Sequence, residues 1–233
     1  MCERKIGSQV FKYSSPIDID LQLKSVDSAE HDRAQLIDII SRTDLESGVY
    51  EGGFKVWEGA WDLCEFLISA RPSLLCGARV LEIGCGAGLP GIVALNLGAN
   101  HVSFQDLNEP VLACFTRPNI VLNGLEQRDY SLVSGDWCEL CAKLQGKRFD
   151  CIITAETLYN VDYYECLHSV LDSLLEKEGT VLMAAKFYYF GLSGNIPKWI
   201  EFIESKKVFR VAEVWKSESA VPRKILELSR LST

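Results

Sequence analysis

The stretch Val80-Leu-Glu-Ile-Gly-Cys-Gly-Ala-Gly-Leu-Pro-Gly91 constrains this chain most. Arg79 to Ile83 reads as a short apolar strand that runs directly into glycines 84, 86 and 88. Leu89 to Leu97 then reads as a helix with Gly98 as its C-cap. Glycines at such a junction let a ligand approach the backbone closely. The helix start adds N–H donors for a negative group. Gly86-Ala-Gly88-Leu-Pro-Gly91 also fits the dinucleotide fingerprint GxGxxG, which by itself discriminates poorly.

Strands and helices alternate beyond this loop. Strands are expected at His101–Asp106, Leu132–Ser134, Phe149–Ala155 and Thr180–Ala185. Helices are expected at Pro110–Ile120, Tyr163–Leu175 and Trp199–Glu204, and Val208–Trp215 with Lys224–Leu228 reads as a final hairpin. Seven strands so arranged imply a Rossmann-like α/β fold. Its sheet is mostly parallel, with a C-terminal antiparallel hairpin. Ligands of such sheets bind beyond the carboxyl ends of the strands. Ahead of the loop, Trp57, Trp61, Cys64, Leu67 and Ile68 recur at helical spacing and mark an amphipathic helix to Ala70, stopped near Pro72. Met1 to Thr43 is mixed and polar, with a short helix expected at Ala34–Ser41. The expected organisation is an arm over 1–46 and one α/β domain over 47–233.

Three features favour S-adenosylmethionine (SAM) over a nicotinamide dinucleotide. Glu82 lies two residues before the first glycine. The motif begins about eighty residues into the chain, behind a helix. The remaining chain leaves no room for a separate substrate domain. The class is then a SAM-dependent methyltransferase that releases S-adenosylhomocysteine. Asp106 ends the second strand, about 20 residues after the loop, where an acid accepts ribose hydroxyls, and Asn108 is placed to assist. After the third strand, Gly135-Asp-Trp137 offers an acceptor for an adenine amino group in Asp136 and a flat surface for the ring in Trp137.

Composition narrows the partners. The chain has 233 residues and a net charge of −8. It carries no basic stripe of the kind nucleic-acid readers use, and an acidic surface suits a basic protein substrate. No apolar run reaches the ~20 residues of a membrane span, and Met1 to Tyr13 lacks a signal-peptide core. The expectation is a soluble monomer acting in the cytoplasm, with the nucleus a second location. Nine scattered cysteines, an odd number, suggest reduced thiols. Cys138 and Cys141 form one CxxC without the second pair zinc requires, so no metal site is expected.

The segment Gly48-Val-Tyr-Glu-Gly-Gly-Phe-Lys-Val-Trp-Glu58 resembles one found in the eukaryotic protein-histidine methyltransferases that modify a large-subunit ribosomal protein. The similarity continues through Val80 to Gly91, Phe104-Gln-Asp-Leu-Asn108, Arg117-Pro-Asn-Ile-Val121, Ser134-Gly-Asp-Trp137, Ala155-Glu-Thr-Leu-Tyr-Asn160 and Lys186-Phe-Tyr-Tyr-Phe-Gly191. It implies a class I SAM-dependent fold and methylation of the tele nitrogen of a histidine. It implies a cofactor site of Val56, Trp57, Glu58, Gly84, Cys85, Gly86, Gly88, Asp106, Asn108, Gly135, Asp136, Trp137 and Ala155. Two positions depart from the family: Asp136 stands where Glu is usual, and Ala155 where Ser is. The long charged insertion that some members carry before the third strand is also missing.

For that chemistry Glu156 is the candidate to hold the pros N–H of the acceptor ring, and Tyr159 to wall the methyl path. Asn160, Tyr164, Tyr189 and Phe190 are candidates for the rest of a substrate pocket. A related protein-lysine methyltransferase of the seven-stranded group is the nearest rival; those enzymes share the aromatic three residues on but usually place Asp where this chain has Glu156, which leans toward histidine. A SAM-binding protein without catalysis is a rival of another class, and a small nicotinamide-dependent reductase a third.

Overall fold

The computed structural model describes residues 1–25, 46 and 48–231. Its centre is a seven-stranded sheet in the order β5-β4-β3-β6-β7-β9-β8. The strands are β3 (Arg79–Ile83), β4 (His101–Asp106), β5 (Tyr130–Ser134), β6 (Phe149–Ala155), β7 (Leu175–Lys186), β8 (Phe209–Lys216) and β9 (Arg223–Arg230). β5, β4, β3, β6 and β7 run parallel, and β9 joins β7 antiparallel with β8 at the edge. The expected sheet is present, and three strands are longer than expected. β5 gains two residues at its start because Tyr130 and Ser131 are only half buried and break the apolar run. β7 starts at Leu175 rather than at the expected Thr180, because the polar Glu176 to Glu178 carry no apolar strand pattern.

Helices cover both faces, so the central strands read as unbroken apolar runs. Val80, Leu81 and Ile83 are fully buried, Leu81 and Ile83 on one side and Val80 on the other. The helix Leu89–Asn96 is buried along nearly its whole length, which is why it carries no polar face. The expected helix Pro110–Ile120 is three pieces: Glu109–Val111, a π-helical turn Leu112–Thr116, and Arg117–Leu122. Pro118 brings no N–H to the helical ladder, and the wide turn lies just before it. Thr116 in that turn donates its hydroxyl to the Gly86 carbonyl at 2.7 Å, tying the turn to the glycine loop.

The first 25 residues are more ordered than their composition suggested. β1 (Cys2–Ile6) and β2 (Gln9–Tyr13) form an antiparallel hairpin, followed by a helix over Pro16–Ser25. Only Ile6, Phe11, Ile19 and Leu23 there reach the main core, too few to set a readable period. Long-range hydrogen bonds dock the hairpin. Ser14 N donates to Asn119 Oδ1 at 2.8 Å, and Asn123 bridges both backbone groups of Lys12. The helix expected at 34–41 lies outside the described residues.

The expectation of reduced thiols is corrected at one place. The helices Trp137–Lys143 and Tyr164–Leu174 pack side by side and bring the Cα atoms of Cys138 and Cys166 to 5.2 Å, where a disulfide joins them. The CxxC is therefore split, and Cys141 remains a thiol facing the Ser169 carbonyl.

Candidate active site

A cleft partly open to solvent lies across the carboxyl ends of β3, β4, β5 and β6. Its floor is the glycine loop. Gly86 has φ +49°, and a Cβ there would meet the Gly53 carbonyl oxygen at 2.9 Å. The segment 48–57 thus lies directly on the loop and forms the roof. Trp57 Nε1 closes this strap on itself by donating to the Gly52 carbonyl at 3.1 Å.

Asp106 is buried at the end of β4 and lines the cleft. Its Oδ2 accepts from Gly86 N at 2.9 Å and its Oδ1 from Asn108 N at 3.2 Å. Burial nevertheless pushes its carboxyl up to about 6, because the backbone donors of Gly86, Asn108 and Leu107 do not replace the lost water. A buried carboxylate facing a cleft wants further donors, and a ribose diol supplies two. Asn108 Oδ1 is buried without a hydrogen-bond partner, while its amide donates to the Val49 carbonyl and pins the strap. Glu82, also buried, accepts from Gly91 N at 2.9 Å, and burial holds its pKa well above the carboxylate range. Asp136 caps the helix Trp137–Lys143 through Cys138 N at 2.7 Å and lines the cleft beside Trp137. These residues fit an adenosine: an acid at the diol, a flat indole and an acceptor at the base, and open backbone between.

The other end of the cleft is a chamber of acids and tyrosines. Glu156 follows β6 with φ +59°, in the left-handed region, an unfavourable conformation for a non-glycine residue. That turn aims its carboxylate at the helix Glu58–Ala70. Gly59 N donates to Oε1 at 3.1 Å, and Tyr189 Oη donates to Oε2 at 2.6 Å. A Cβ on Gly59 would lie 2.6 Å from the same Oε1, so glycine is what allows the approach. Burial raises the Glu156 pKa, opposed by the Tyr189 hydrogen bond and by Lys186. Facing it, Glu51 accepts from Tyr159 Oη at 2.6 Å, Tyr163 Oη at 2.8 Å and Gly48 N at 2.7 Å. The rings Trp137, Tyr163, Tyr159 and Tyr189 meet edge to face at 6.1, 6.2 and 6.3 Å in succession.

The residues singled out from sequence divide clearly. Val56, Trp57, Gly84, Cys85, Gly86, Asp106, Gly135, Asp136, Trp137, Ala155, Glu156 and Tyr159 line one cleft. Gly88 instead starts the helix behind the loop in a left-handed conformation. Glu58 points to Lys186 at 3.1 Å. Tyr189 stands behind Glu156 rather than at the cleft surface. Three substrate candidates do not line the cleft. Tyr164 is core, bonded to the Leu158 and Asn195 backbones and packed on Trp199. Asn160 caps the turn Val161–Tyr163. Phe190 is 78% exposed. Periodicity does not separate Tyr164 from Phe190, because the two rings are alike in sequence, and Asn160 serves as well for a turn cap as for a ligand.

Three further residues belong to the site: Gln105, Glu51 and Tyr163, the last lining the cleft and bonded to Glu51. Gln105 is fully buried. Its Oε1 accepts from Gly84 N and Trp137 Nε1, and its Nε2 donates to the Gly135 carbonyl at 2.8 Å. One amide thus locks the loops after β3 and β5 together. A Gln next to the β4 acid was its only signal. Glu51 lay inside a quoted motif but received no role.

A β3–glycine loop–helix floor, an acid ending β4 and an antiparallel terminal hairpin define the Rossmann-like SAM-dependent methyltransferase fold. Among solved structures, magnesium protoporphyrin IX methyltransferase from Synechocystis PCC 6803, with bound SAM, superposes with a TM-score of 0.60 at 17% identity, over 94% of this chain and 92% of that one. A family model described as lysine methyltransferase matches residues 40–189. The chain is 43% identical over 166 residues to a histidine protein methyltransferase 1 homolog of Dictyostelium discoideum, covering 71% of this chain and 53% of that protein. It is 36% identical over 217 residues to the homolog of the same name in Bos taurus, covering 81% and 58%. The chain belongs to this family of SAM-dependent protein methyltransferases. It spans little more than half the length of these relatives.

Proposed function

We propose that this chain transfers the methyl group of SAM to the tele nitrogen of a histidine in a basic protein. A large-subunit ribosomal protein is the substrate we infer. The observation that carries the reading is one continuous cleft with an adenosine-shaped end and a chamber of acids and aromatic rings. The names of the relatives at 36–43% identity support the histidine, and the net charge of −8 supports a basic partner.

When bound, SAM supplies a methyl group already activated by its sulfonium. Asp106 would hold the ribose, Asp136 and Trp137 the base, and the strap 48–57 would exclude water. The acceptor would be a neutral imidazole, its unprotonated nitrogen turned to the methyl group and its ring taking up the positive charge that the sulfonium would give up. Glu156, fixed by Gly59 N and Tyr189, lies where its negative charge favours that cationic ring.

The matched family model's description favours a second reading, a protein-lysine acceptor. The chamber's physics favours imidazole. A lysine with pKa ~10.4 must lose its proton first, and acids nearby raise that cost, whereas a ring with pKa ~6.5 is already neutral at pH 7.4. The deciding test incubates the protein with labelled SAM and an extract from cells lacking it, then hydrolyses the products. Label in tele-methylhistidine supports the proposal. Label in methyl-lysine hands it to the second reading, and tight SAM binding with no label points to a binding protein without catalysis. We further propose that the chain acts as a monomer in the cytoplasm or nucleus. Light scattering and fractionation test these points.

A further inference from the structure

Glu51 is the one acid of the chamber that the mechanism above leaves unused. It sits on the strap, far in sequence from the chamber it completes. Its carboxylate accepts hydrogen bonds from the hydroxyls of Tyr159 and Tyr163 at 2.6 and 2.8 Å, and Gly48 N at 2.7 Å orients it. A phenol has one O–H donor. With that donor committed to Glu51, the Tyr159 oxygen presents lone pairs only. Hydrogen bonding to an anion also makes the oxygen a better acceptor. Burial and the adjacent Glu51 carboxylate both raise the Tyr159 pKa, so the phenol stays protonated and its donor stays committed.

Glu156 is already tied to the protein at both oxygens, by donors at 3.1 and 2.6 Å. Tyr159 lines the cleft and lies between the two acids, 6.3 Å ring to ring from Tyr189 and 6.2 Å from Tyr163.

We propose that Glu51 is a positioning residue that fixes Tyr159 as a hydrogen-bond acceptor, so that the chamber selects a neutral ring carrying an N–H donor and turns its other nitrogen toward the methyl group. This rests on the histidine reading and moves the role of holding the pros N–H from Glu156 to the Glu51–Tyr159 pair.

The test uses the full chain saturated with S-adenosylhomocysteine, with tyrosines isotope-labelled for NMR. Imidazole, which has an N–H, and 1-methylimidazole, which has none, are titrated at pH 8.5, where both are neutral. The wild type is expected to bind imidazole at least about fivefold tighter. Glu51→Gln keeps the shape but carries an amide that can donate to Tyr159, and it is expected to bring the ratio close to one while S-adenosylhomocysteine affinity stays within threefold. That retained affinity shows that the strap is still in place. Glu51→Ala, which removes the strap's anchor, is expected to weaken S-adenosylhomocysteine as well. A wild type with no preference, or a Glu51→Gln protein with the wild-type preference, overturns the proposal. The amino-acid analysis of labelled products decides the histidine reading separately. Label in methyl-lysine beside an intact imidazole preference would sink that reading and leave the role of Glu51 standing.

Discussion

At the adenosine end of the cleft, the polar contacts join residues close in sequence: Gly86 with Asp106, 20 apart, Gly84 with Gln105, 21 apart, and Gln105 with Gly135, 30 apart. At the chamber end most join distant ones: Gly59 with Glu156, 97 apart, Glu51 with Tyr159, 108 apart, and Glu51 with Tyr163, 112 apart, with Tyr189 and Glu156, 33 apart, as the exception. The first end is made by neighbouring β–loop–α units and comes with the sheet. The second exists only when the strap and the helix Glu58–Ala70 close over the completed sheet. One cleft therefore holds a donor site set by local backbone and an acceptor site set by assembly. Mutations should affect the two ends separately.

The largest expected effect is at Glu156. Glu156→Gln keeps the volume but removes the charge opposite the developing cation. We expect kcat to fall about 100-fold or more, the scale of a lost electrostatic group in a closed site. The Kd for SAM should stay within about threefold. Single-turnover kinetics and calorimetry on one preparation check both, and a parallel loss of SAM binding would show that the ends are not separable. Asp106→Ala is the converse. It removes an acceptor for two ribose hydroxyls, each worth about 1.5–3 kcal/mol when the acceptor is charged, so SAM affinity should fall about 100-fold or more. The Glu51–Tyr159 chamber should keep its preference for imidazole.

The same contrast explains what the sequence discloses. The glycine loop, Asp106 and Gly135-Asp136-Trp137 follow strands in order, so the strand pattern alone brings them to one end of the sheet. Glu156 and Tyr159 were reached through a motif beside β6. Nothing local shows that Glu51, in a glycine-rich strap, meets two tyrosines more than a hundred residues on. Gln105 was hidden for another reason: a buried amide in a strand has no period or charge to announce it. The N-terminal hairpin was missed because it contributes only Ile6 and Phe11 to the core.

Titration sharpens the comparison by about tenfold. The Asp106 carboxyl is raised to about 6 by burial. In the free protein the folded form then holds a proton that the unfolded chain, at ~3.9, has lost. Its contribution to stability is present below ~4 and declines as pH rises towards 6. SAM binding runs the other way, because the ribose needs the ionised acceptor. Affinity should be flat above about pH 6 and fall roughly tenfold per unit below it, the slope of one linked proton. Calorimetry between pH 5 and 7.5 checks this. An Asp106→Asn protein should bind more weakly and show a flat profile; a wild-type slope in it would place the titrating group elsewhere.

Tyr189 and Phe190 set the smallest effects, and they are adjacent. Tyr189 turns inward and gives Glu156 its 2.6 Å donor, while Phe190 turns outward at 78% exposure against Tyr188. Tyr189→Phe leaves Glu156 held by Gly59 N alone. The loss of one hydrogen bond to a charged group, about 1.5 kcal/mol, should lower kcat about tenfold without changing SAM affinity. Phe190→Ser removes a ring that buries little, so stability should change by less than about 0.5 kcal/mol, and kcat and SAM affinity should both hold. A rise in KM for the protein substrate alone would mean that the outer ring touches the partner's surface. A fall in kcat as large as that of Tyr189→Phe would mean that Phe190 folds into the chamber once substrate arrives, and that the chamber is completed by the partner as well as by the chain.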